Sequence, residues 1–362
     1  MKVLLTGADG FLGWHTRALL QALGSHEVVP VSRTSWADLN VLAAGVDAVI
    51  HCAGGNRESP GALEEMNIGL ARDLAEAVKR CANPPRIVYA NSIRSVEDTA
   101  YGRGKRLASE LLLSAAVAAG GAYTDVHLPN LFGERCRPHY NSFVATFIDS
   151  IVKGYEPNIL DSELALLHAQ SAASALIAGL SGPGRVDPPG TIATVRGVFD
   201  TLVRFGKIYA RGEIPAITVE FERDLFNSLR YALFPANLPI PMSAHSDVRG
   251  RLVEIVRSHG GDGQTFASTT NVGAIRGEHF HLHKIERFVV VSGSARIALR
   301  EIYGDQVVAF DVCGGSPVAV DIPTMWAHNI ANTGNEEITT LFWTHPMFES
   351  GGPDTYSELV EK

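Results

Sequence analysis

The spacing of apolar residues changes its period once along the 362-residue chain, close to residue 240. Over the first 130 residues, short apolar runs of strand length alternate with stretches in which apolar residues recur at helical spacing. Such alternation predicts βαβ units, and therefore a doubly wound parallel sheet with helices on both faces. From 251 to 342 the runs are short, β-rich and separated by glycine turns, which predicts an all-β barrel or double sheet. A chain of this length suits two domains, each with its own core.

The expected strands of the first half are Val3–Thr6, Val28–Val31, Ala48–Cys52, Ile87–Ala90 and Thr124–Leu128, and the expected helices are Leu12–Leu23, Ala62–Arg80 and Lys105–Ala119. We expect residues 140–235 to form a small substrate-covering lobe of mixed helix and loop. Three prolines fall within Phe234–Pro241, and rigid extended chain of this kind predicts an interdomain linker. The predicted domains are therefore 1–240 and 245–362.

Composition excludes several classes of function. The formal net charge of −8 leaves no basic surface of the kind that binds nucleic acid or anionic lipid. The four cysteines are far apart and form no C-x-x-C pair, which is typical of reduced thiols in a cytosolic protein. No apolar run approaches the roughly 20 residues of a spanning helix, and the first strand leads directly into a glycine loop. We therefore expect a cytoplasmic enzyme with no membrane or nucleic-acid partner.

The glycine loop is the first candidate site. The segment GADGFLG, from Gly7 to Gly13, follows the first strand and opens a helix. Glycines there let the backbone turn sharply and approach a pyrophosphate, whose charge meets the helix N-terminus. A mere tight turn is the competing interpretation, and the position between a strand and a helix argues against it.

The end of the second strand distinguishes the two nicotinamide cofactors. An acidic residue at that point would bind the ribose 2′-hydroxyl of NAD, but the sequence there is Ser32-Arg33-Thr34. Arg33 suits a 2′-phosphate, which favours NADPH and NADP over NAD. The alternative is a solvated surface arginine.

A phenol and an ammonium group lie four residues apart, at Tyr101 and Lys105, and therefore share one face of a helix. A tyrosine of ordinary pKa protonates an alkoxide poorly at neutral pH unless a cation lowers that pKa, and Lys105 can supply this cation. Ser92 follows a predicted strand and could polarise a substrate carbonyl.

These motifs resemble the extended short-chain dehydrogenase/reductase family over the first 240 or so residues. Further matches are HCAG at 51–54, Asn67 and PNLFG at 129–133. The resemblance implies that Ser92, Tyr101 and Lys105 are the catalytic group. The residues expected to bind the cofactor are Gly7, Gly10, Phe11, Leu12, Gly13, Arg33, Ala53 and Lys105.

A histidine-rich strand is the second candidate site. His279, His281 and His283 alternate along the sequence, so a strand would point all three to one face. Two inward imidazoles with a carboxylate at Glu286 form a ready metal site, and His328 on a facing strand offers the fourth ligand. Zinc suits this ligand set, although ligand type alone leaves iron and manganese open. Three histidines on an exposed, metal-free strand are the competing interpretation.

The spacing G-x₅-H-x-H-x₄-E-x₆-G, followed by P-x₄-H-x₃-N, resembles the two cupin motifs, with Met325 where cupins commonly have glycine. The cupin resemblance implies an all-β jelly roll and a metal site formed by His279, His281, Glu286 and His328. The segment after the linker, from Asp247 to Glu254, resembles 3,5-epimerases that act on nucleotide 4-keto-6-deoxysugars. Their catalytic strand resembles the stretch that ends at His279, so His279 is also expected to be catalytic.

Along nearly its whole length the chain resembles bifunctional capsular-polysaccharide enzymes that fuse an extended short-chain dehydrogenase/reductase to a cupin. That resemblance implies a homodimer that acts on a UDP-4-keto-6-deoxy-N-acetylhexosamine. The cupin would epimerise C3, and the reductase would then use NADPH to reduce the C4 ketone, giving a UDP-N-acetyl-6-deoxy-L-talosamine-type sugar.

Two other functions are alternatives to this one. In one, the first domain is a nucleotide-sugar epimerase or dehydratase and the cupin is only structural. Dehydratases usually carry an Asp-Glu pair near the serine, and the sequence Asn91-Ser92-Ile93-Arg94 has none. In the other, the protein is a non-catalytic NADP-binding sensor. Such sensors tend to lose the Tyr–Lys pair, which is present here.

Overall fold

The computed structural model describes residues 1–361 and divides into two compact units. One unit comprises residues 1–146 and 159–195, and the other comprises 147–158 together with the chain from Arg196 onward. The helices are α1 (Phe11–Leu23), α2 (Leu39–Leu42), α3 (Pro60–Lys79), α4 (Ala100–Ala119), α5 (Phe143–Lys153), α6 (Ala169–Ala178), α7 (Val195–Tyr209) and α8 (Glu220–Leu233). None of the helices within 1–361 is long and apolar enough to cross a membrane.

The strands of the first unit are β1 (Lys2–Thr6), β2 (Glu27–Val31), β3 (Ala48–His51), β4 (Arg86–Ser92), β5 (Tyr123–Leu128), β6 (Asn130–Phe132), β7 (Glu163–His168), β8 (Gly184–Val186) and β9 (Thr191–Thr194). Those of the second are β10 (Ile240–Pro241), β11 (Ala244–Asp247), β12 (Gly250–Val253), β13 (Gln264–Thr270), β14 (Ile275–Phe280), β15 (Ile285–Ser292), β16 (Ser294–Glu301), β17 (Val307–Cys313), β18 (Val318–Ile322), β19 (Trp326–Asn332), β20 (Ile338–His345) and β21 (Tyr356–Ser357).

The first unit is built on a parallel sheet of six strands in the order β2-β1-β3-β4-β5-β8. Side chains of β1 alternate between its two faces: Val3 and Leu5 pack in one buried cluster, and Leu4 packs in another on the opposite face. Strand β2 is added on one side of β1, and β3 and the later strands are added on the other side, so the strand order reverses between β1 and β3. Their carboxyl ends therefore open a crevice, the usual ligand position in such sheets. The predicted doubly wound parallel sheet is confirmed, with each predicted strand and helix of this half present.

A smaller sheet has the order β6-β7-β9, and its strands β7 and β9 lie within the stretch 140–235 expected to be helix and loop. Its central strand, β7, pairs in parallel with β6 and antiparallel with β9. The strand signal was weak because these segments are only three to six residues long.

The second unit contains two antiparallel five-stranded sheets, in the orders β10-β18-β15-β20-β13 and β17-β16-β19-β14-β21. Inward-facing apolar side chains from both sheets, including Phe288, Ile297 and Ile330, form one core cluster. The predicted all-β double sheet is confirmed.

The proline-rich segment predicted as a linker packs against this second core. The Phe234 ring lies 4.5 Å from the Trp326 ring, and Leu238 is half-buried against the same cluster. The compact units also group 196–240 with the β-rich chain rather than with the parallel sheet. The domain boundary at 240–245 stays a prediction.

A buried polar network joins α7 to the β strands of the second unit. The guanidinium of Arg287 donates two hydrogen bonds to Asp321, at 2.6 and 2.9 Å, and a third to the Gly212 carbonyl at 2.6 Å. The Tyr209 hydroxyl donates to the same carboxylate at 2.8 Å. Because the charges are paired and hydrogen-bonded, both can be buried.

Candidate functional sites

The glycine loop lies at the crevice of the parallel sheet. Gly7 adopts a φ of +67°, and a Cβ atom on it would lie 2.8 Å from the Ala53 nitrogen, two residues beyond the end of β3. A Cβ on Gly13 would lie only 2.0 Å from the Gly7 carbonyl oxygen. Gly10 caps α1 without a side chain, and no acidic residue occupies the first turn of that helix. The structure thus brings Gly7, Gly10, Gly13 and Ala53 together, with Phe11 and Leu12 in the first turn, and leaves a helix N-terminus open toward an anion.

Arg33 lies just beyond β2 and is exposed. Its guanidinium makes no ion pair within the described 1–361, while Ser32 and Ser35 fold the turn by hydrogen-bonding each other. An unpaired guanidinium at this strand end remains suited to a 2′-phosphate.

Ser92, Tyr101 and Lys105 are held by β4 and the start of α4. Ser92 is the last residue of β4, and its backbone N–H donates to the Asn91 side chain at 2.8 Å. The helix that carries Tyr101 and Lys105 begins at Ala100, where the Thr99 hydroxyl accepts a hydrogen bond from the Gly102 N–H at 3.0 Å.

The two glycines between Tyr101 and Lys105 allow α4 to pack closely. A Cβ on Gly102 would lie 2.3 Å from the Glu97 carbonyl oxygen, and one on Gly104 would lie 3.2 Å from the Glu64 Cα on α3. The sequence YGRGK therefore satisfies a packing requirement as well as the spacing of the phenol and the ammonium.

The electrostatics of Tyr101 are set by its burial and by two neighbouring residues. Burial raises the pKa of the Tyr101 phenol, and a hydrogen bond with Ser92 and the charge of Arg94 offset this only in part. The Arg94 guanidinium lies 5.9 Å from the centre of the Tyr101 ring. Lys105 instead donates to the Ala90 carbonyl at 2.5 Å. Arg94 is therefore the cation that lowers the Tyr101 pKa in this structure, and the influence of Lys105 on that pKa stays a prediction.

Asn67 fixes the loop that follows β3. Its amide donates to the Gly55 carbonyl at 3.1 Å, and its oxygen accepts from the Gly55 N–H at 3.2 Å. His51, at the end of β3, lies 2.7 Å from the Thr6 hydroxyl, and burial lowers the pKa of its imidazole to about 3. These contacts are structural, and they hold the crevice wall beside Ala53.

The second cluster comprises His279, His281, Glu286 and His328, whose ligand atoms all lie within 4.8 Å of one another. The Glu286 Oε2 atom lies 3.0 Å from Nε2 of His281 and 3.3 Å from Nε2 of His328. His281 and His328 are fully buried, Glu286 is nearly so, and His279 is half-buried. The four residues predicted as ligands therefore converge.

The histidine rings are oriented by backbone carbonyls. His281 donates through Nδ1 to the Asp354 carbonyl, and Nδ1 of His328 lies 3.3 Å from the Trp326 carbonyl. A hydrogen bond to the Gly277 backbone orients His279. Carbonyl partners of this kind fix the tautomer and leave the other nitrogen free to bind a metal.

The donor set fits a divalent metal ion. Nε2 of His281 and Nε2 of His328 are buried and make no hydrogen bond within residues 1–361, although each faces a carboxylate oxygen. Burial lowers the pKa of His279 to about 3, so its imidazole is neutral. Burial opposes ionisation of Glu286, yet the neighbouring His281 and His328 hold the pKa of Glu286 well below its ordinary value. Three imidazoles and one carboxylate are the ligands that zinc and similar metals prefer.

Two backbone features bring His279 into this cluster. Glu278 adopts a φ of +59° at a register shift between β14 and β19, and His279 then pairs with His328 across the ladder. Gly277 adopts a φ of +104°, and a Cβ on it would lie 2.7 Å from the His328 carbonyl oxygen. Met325 has a φ of +61°, which explains why cupins commonly place glycine there.

His283 lies apart from the four ligands. Strand β14 ends at Phe280, so His281 and His283 lie in the loop before β15, and simple alternation along one strand does not extend to His283. Its ring is partly exposed, 3.9 Å from the Asp224 carboxylate.

Arg94, Glu278 and Asp354 are functional candidates that no sequence motif marks. Arg94 follows Ser92 in the sequence, and this proximity was the available signal. Glu278 and Asp354 act through backbone contacts that are distant in the sequence, so spacing alone could not identify them.

Comparisons with known proteins agree with this architecture. The model of the NAD dependent epimerase/dehydratase family matches residues 3–192, and that of the polysaccharide biosynthesis C-terminal domain matches residues 245–356. A UDP-2-acetamido-2,6-beta-L-arabino-hexul-4-ose reductase from Pseudomonas aeruginosa is 32% identical over 99% of this chain and 98% of its own length.

Solved structures give the same result. The capsular polysaccharide assembling protein CapF from Staphylococcus aureus aligns over 99% of this chain and 100% of its own, with 28% identity and a TM-score of 0.62. A UDP-glucose 4-epimerase from Thermotoga maritima covers 64% of this chain with 16% identity and a TM-score of 0.55, which shows the fold alone.

Fold, site residues and full-length similarity define an enzyme of the nicotinamide-dependent sugar reductase and epimerase class, extended by a β-rich C-terminal unit. The chain belongs to the NAD dependent epimerase/dehydratase family, and within it the chain is of the CapF type.

Proposed function

We propose that the chain acts twice on a UDP-2-acetamido-2,6-dideoxy-4-hexulose in surface polysaccharide synthesis. The β-rich unit epimerises C3, and the parallel-sheet unit then reduces the C4 ketone with NADPH to a UDP-N-acetyl-6-deoxy-L-talosamine-type sugar. The observation that carries this proposal is the presence of two different chemical centres in one chain, the Ser92–Tyr101–Lys105 group and the His279–His281–Glu286–His328 cluster. The full-length similarity to a hexulose reductase supports the choice of substrate class.

The order of the two steps follows from the chemistry. A ketone at C4 acidifies the proton on C3, so epimerisation requires the ketone to be intact. Reduction removes the ketone, and the configuration at C3 is then fixed. Joining the two activities couples a reversible proton exchange to a reduction that consumes NADPH.

When bound, NADPH supplies the hydride for C4, and a divalent metal supplies electrostatic stabilisation of negative charge on the C4 oxygen. In the parallel-sheet unit, the Ser92 hydroxyl accepts a hydrogen bond from the backbone N–H of Arg94 at 3.2 Å and remains able to donate to the substrate carbonyl. The Tyr101 hydroxyl gives its proton to the C4 oxygen as that oxygen becomes an alkoxide. Arg94, beside the Tyr101 ring, favours the phenolate that this transfer leaves.

The roles of the charged residues around the cofactor follow from their positions. Lys105, on the same helix face as Tyr101, is available to hold the nicotinamide ribose. The exposed guanidinium of Arg33 suits the 2′-phosphate of NADPH. The open N-terminus of α1 beside Gly7 suits the pyrophosphate.

In the β-rich unit, His279, His281, Glu286 and His328 would hold the metal. Because His279 is the least buried of the four, we infer that a substrate reaches the cluster on the side of His279. We propose that the metal is zinc, because three imidazoles and one carboxylate suit an ion that needs no redox chemistry. We also retain the domain boundary at 240–245 and a homodimer as parts of the proposal.

The proposal is tested by separating the two activities with single substitutions. With a UDP-4-keto-6-deoxy-N-acetylhexosamine as substrate, Tyr101→Phe should abolish NADPH oxidation, because it removes the proton donor. Entry of solvent deuterium at C3 should persist in that variant. Conversely, His279→Asn should abolish deuterium entry. The matched controls are Tyr155→Phe and His245→Asn, which alter exposed residues of the same types.

Two results would contradict the assignment. Unchanged NADPH oxidation in Tyr101→Phe would exclude the phenol as the proton donor. Deuterium entry in His279→Asn equal to that in His245→Asn would exclude the histidine cluster as the epimerisation centre.

A further inference from the structure

The segment Pro353–Val360, here called the C-terminal segment, lies against the loop that carries His281. The Asp354 carboxylate accepts three hydrogen bonds from consecutive backbone N–H groups: Leu282 at 3.0 Å, His283 at 2.8 Å and Lys284 at 2.7 Å. One carboxylate therefore holds the whole turn between β14 and β15. Hydrogen bonds to an ionised carboxylate are about twice as strong as neutral ones.

Asp354 also touches a predicted metal ligand directly. Its backbone carbonyl accepts the hydrogen bond from Nδ1 of His281, and its φ of +44° lies in the left-handed region. The carbonyl fixes the tautomer of His281 and directs Nε2 toward Glu286, 3.0 Å away. Strained backbone at a non-glycine residue persists where surrounding contacts over-determine it, and the four hydrogen bonds to Asp354 provide such contacts.

The rest of the C-terminal segment continues around the cluster. Thr355 accepts a hydrogen bond from the Lys284 ammonium at 3.0 Å, and that ammonium also lies 3.4 Å from Oε1 of Glu286. Strand β21 pairs with β14 at His279. The Val360 N–H donates to the Glu278 carboxylate at 2.7 Å, so the bulge that precedes His279 is held from the same segment.

We propose that Asp354 is a positioning residue for the metal centre, and that bound metal and the C-terminal segment stabilise each other. The inference rests on the metal site of the proposed function. Its physical reason is that Asp354 fixes both the ring orientation of His281 and the backbone that separates His281 from Glu286. Loss of such an outer contact weakens metal binding by about 10- to 100-fold. By linkage, a metal that depends on these contacts must also stabilise them.

The test uses the full chain, Zn²⁺ as the probe and a chromophoric chelator as the competitor. Asp354→Asn keeps the size of the side chain but replaces one carboxylate oxygen with an amide that cannot accept. We expect its Kd for Zn²⁺ to rise by about 10- to 100-fold. The visible absorption of bound Co²⁺ should change with it, because ring orientation alters the ligand field. The control is Asp305→Asn, which neutralises an exposed aspartate of the same unit. Equal Zn²⁺ affinity in the two variants would overturn the inference.

A second measurement needs no variant and decides the case if Asp354→Asn fails to fold. Amide hydrogen exchange of the wild-type protein is compared with and without Zn²⁺. The N–H groups of Leu282, His283, Lys284 and Val360 should exchange at least about tenfold more slowly with metal bound. Stoichiometric metal binding without slower exchange at these amides would overturn the inference alone. A wild-type protein that binds no stoichiometric metal would instead overturn the metal centre of the proposed function.

Discussion

Lys105 carries a positive charge in an enclosed position, and its titration is open to direct measurement. Its side chain is 7% exposed, its ammonium donates to the Ala90 carbonyl at 2.5 Å, and it lies 4.3 Å from the centre of the Tyr89 ring. Burial lowers the pKa of Lys105 from its ordinary value of 10.5 to about 8. A lowering of this size corresponds to about 3 kcal/mol of preference for the neutral amine in the folded state.

The sign of the effect on stability follows from the two pKa values. Below pH 8 the folded and unfolded chains both carry the charge, and the folded state bears the full cost of burying it. Between pH 8 and pH 10.5 the folded chain has lost the proton while the unfolded chain keeps it. The free energy of unfolding therefore rises with pH across this window, by up to about 3 kcal/mol. Lys105→Met lacks this rise, because methionine does not titrate.

The assay is NMR of protein labelled with ¹³C at the lysine Cε, titrated from about pH 7 to 11, a range that spans the ordinary lysine pKa. The Lys105 signal is assigned by its loss in Lys105→Met. We expect it to titrate near pH 8, while exposed Lys153, whose pKa is raised by its hydrogen bond to Asp149, titrates above 10.5. Amide hydrogen exchange in the parallel sheet gives the free energy of unfolding at each pH of the titration. A Lys105 signal that titrates with the exposed lysines would refute the reasoning, as would a stability difference from Lys105→Met that does not vary with pH.

Three further substitutions test the geometry of the two sites. Gly13→Ala should reduce NADPH affinity at least about tenfold, measured by fluorescence titration, because its Cβ would lie 2.0 Å from the Gly7 carbonyl oxygen and displace the loop. Arg33→Ala should weaken NADPH binding by about 1.5 to 3 kcal/mol, as expected for a lost charged hydrogen bond, and leave NADH binding unchanged. Gly277→Ala should lower the metal content of the purified protein, measured by plasma mass spectrometry. The backbone of Gly277 has a φ of +104°, which strains any other residue, and the added methyl group would clash with the opposite strand.

Each of these has a control and a contradicting outcome. Gly61 and Gly351 have open space around the position of an added Cβ, so Gly61→Ala is the control for the dinucleotide loop and Gly351→Ala for the metal cluster. Wild-type cofactor affinity in Gly13→Ala, or wild-type metal content in Gly277→Ala, would show that the close approaches are not required. An equal loss of NADPH and NADH affinity in Arg33→Ala would remove its role in cofactor choice.

The fold could be predicted from the sequence wherever a local residue pattern is typical of one particular strand, helix or turn. Apolar runs buried on both faces, such as Ala48–His51, occur in central parallel strands, and the glycine loop marks the first βα turn. The cluster of His279, His281, Glu286 and His328 could be predicted because their spacing follows one hairpin and one facing strand, and their role as metal ligands stays a prediction. The linker and the domain boundary stay predictions, because proline content indicates extended chain but does not reveal that Phe234 packs on Trp326.

What the sequence could not predict depends on contacts between distant residues. Asp354 lies at least 70 positions from the loop it holds, so no spacing rule connects them. The electrostatics of Tyr101 required the position of the Lys105 ammonium, which points to a backbone carbonyl rather than to the phenol. Tyr101 and Lys105 do lie in one helix, as their spacing predicts, but spacing does not determine the position of the end of a flexible side chain.

The most direct test of the proposed two-step reaction is the NMR spectrum of the product formed in deuterated water from a UDP-4-keto-6-deoxy-N-acetylhexosamine and NADPH. We predict one product that carries deuterium at C3 with inverted configuration and a hydroxyl group at C4, with one NADPH consumed for each molecule formed. A C4-reduced product with the original proton and configuration at C3 would contradict the claim that a single carbonyl is used first as an electron sink and then as a hydride acceptor.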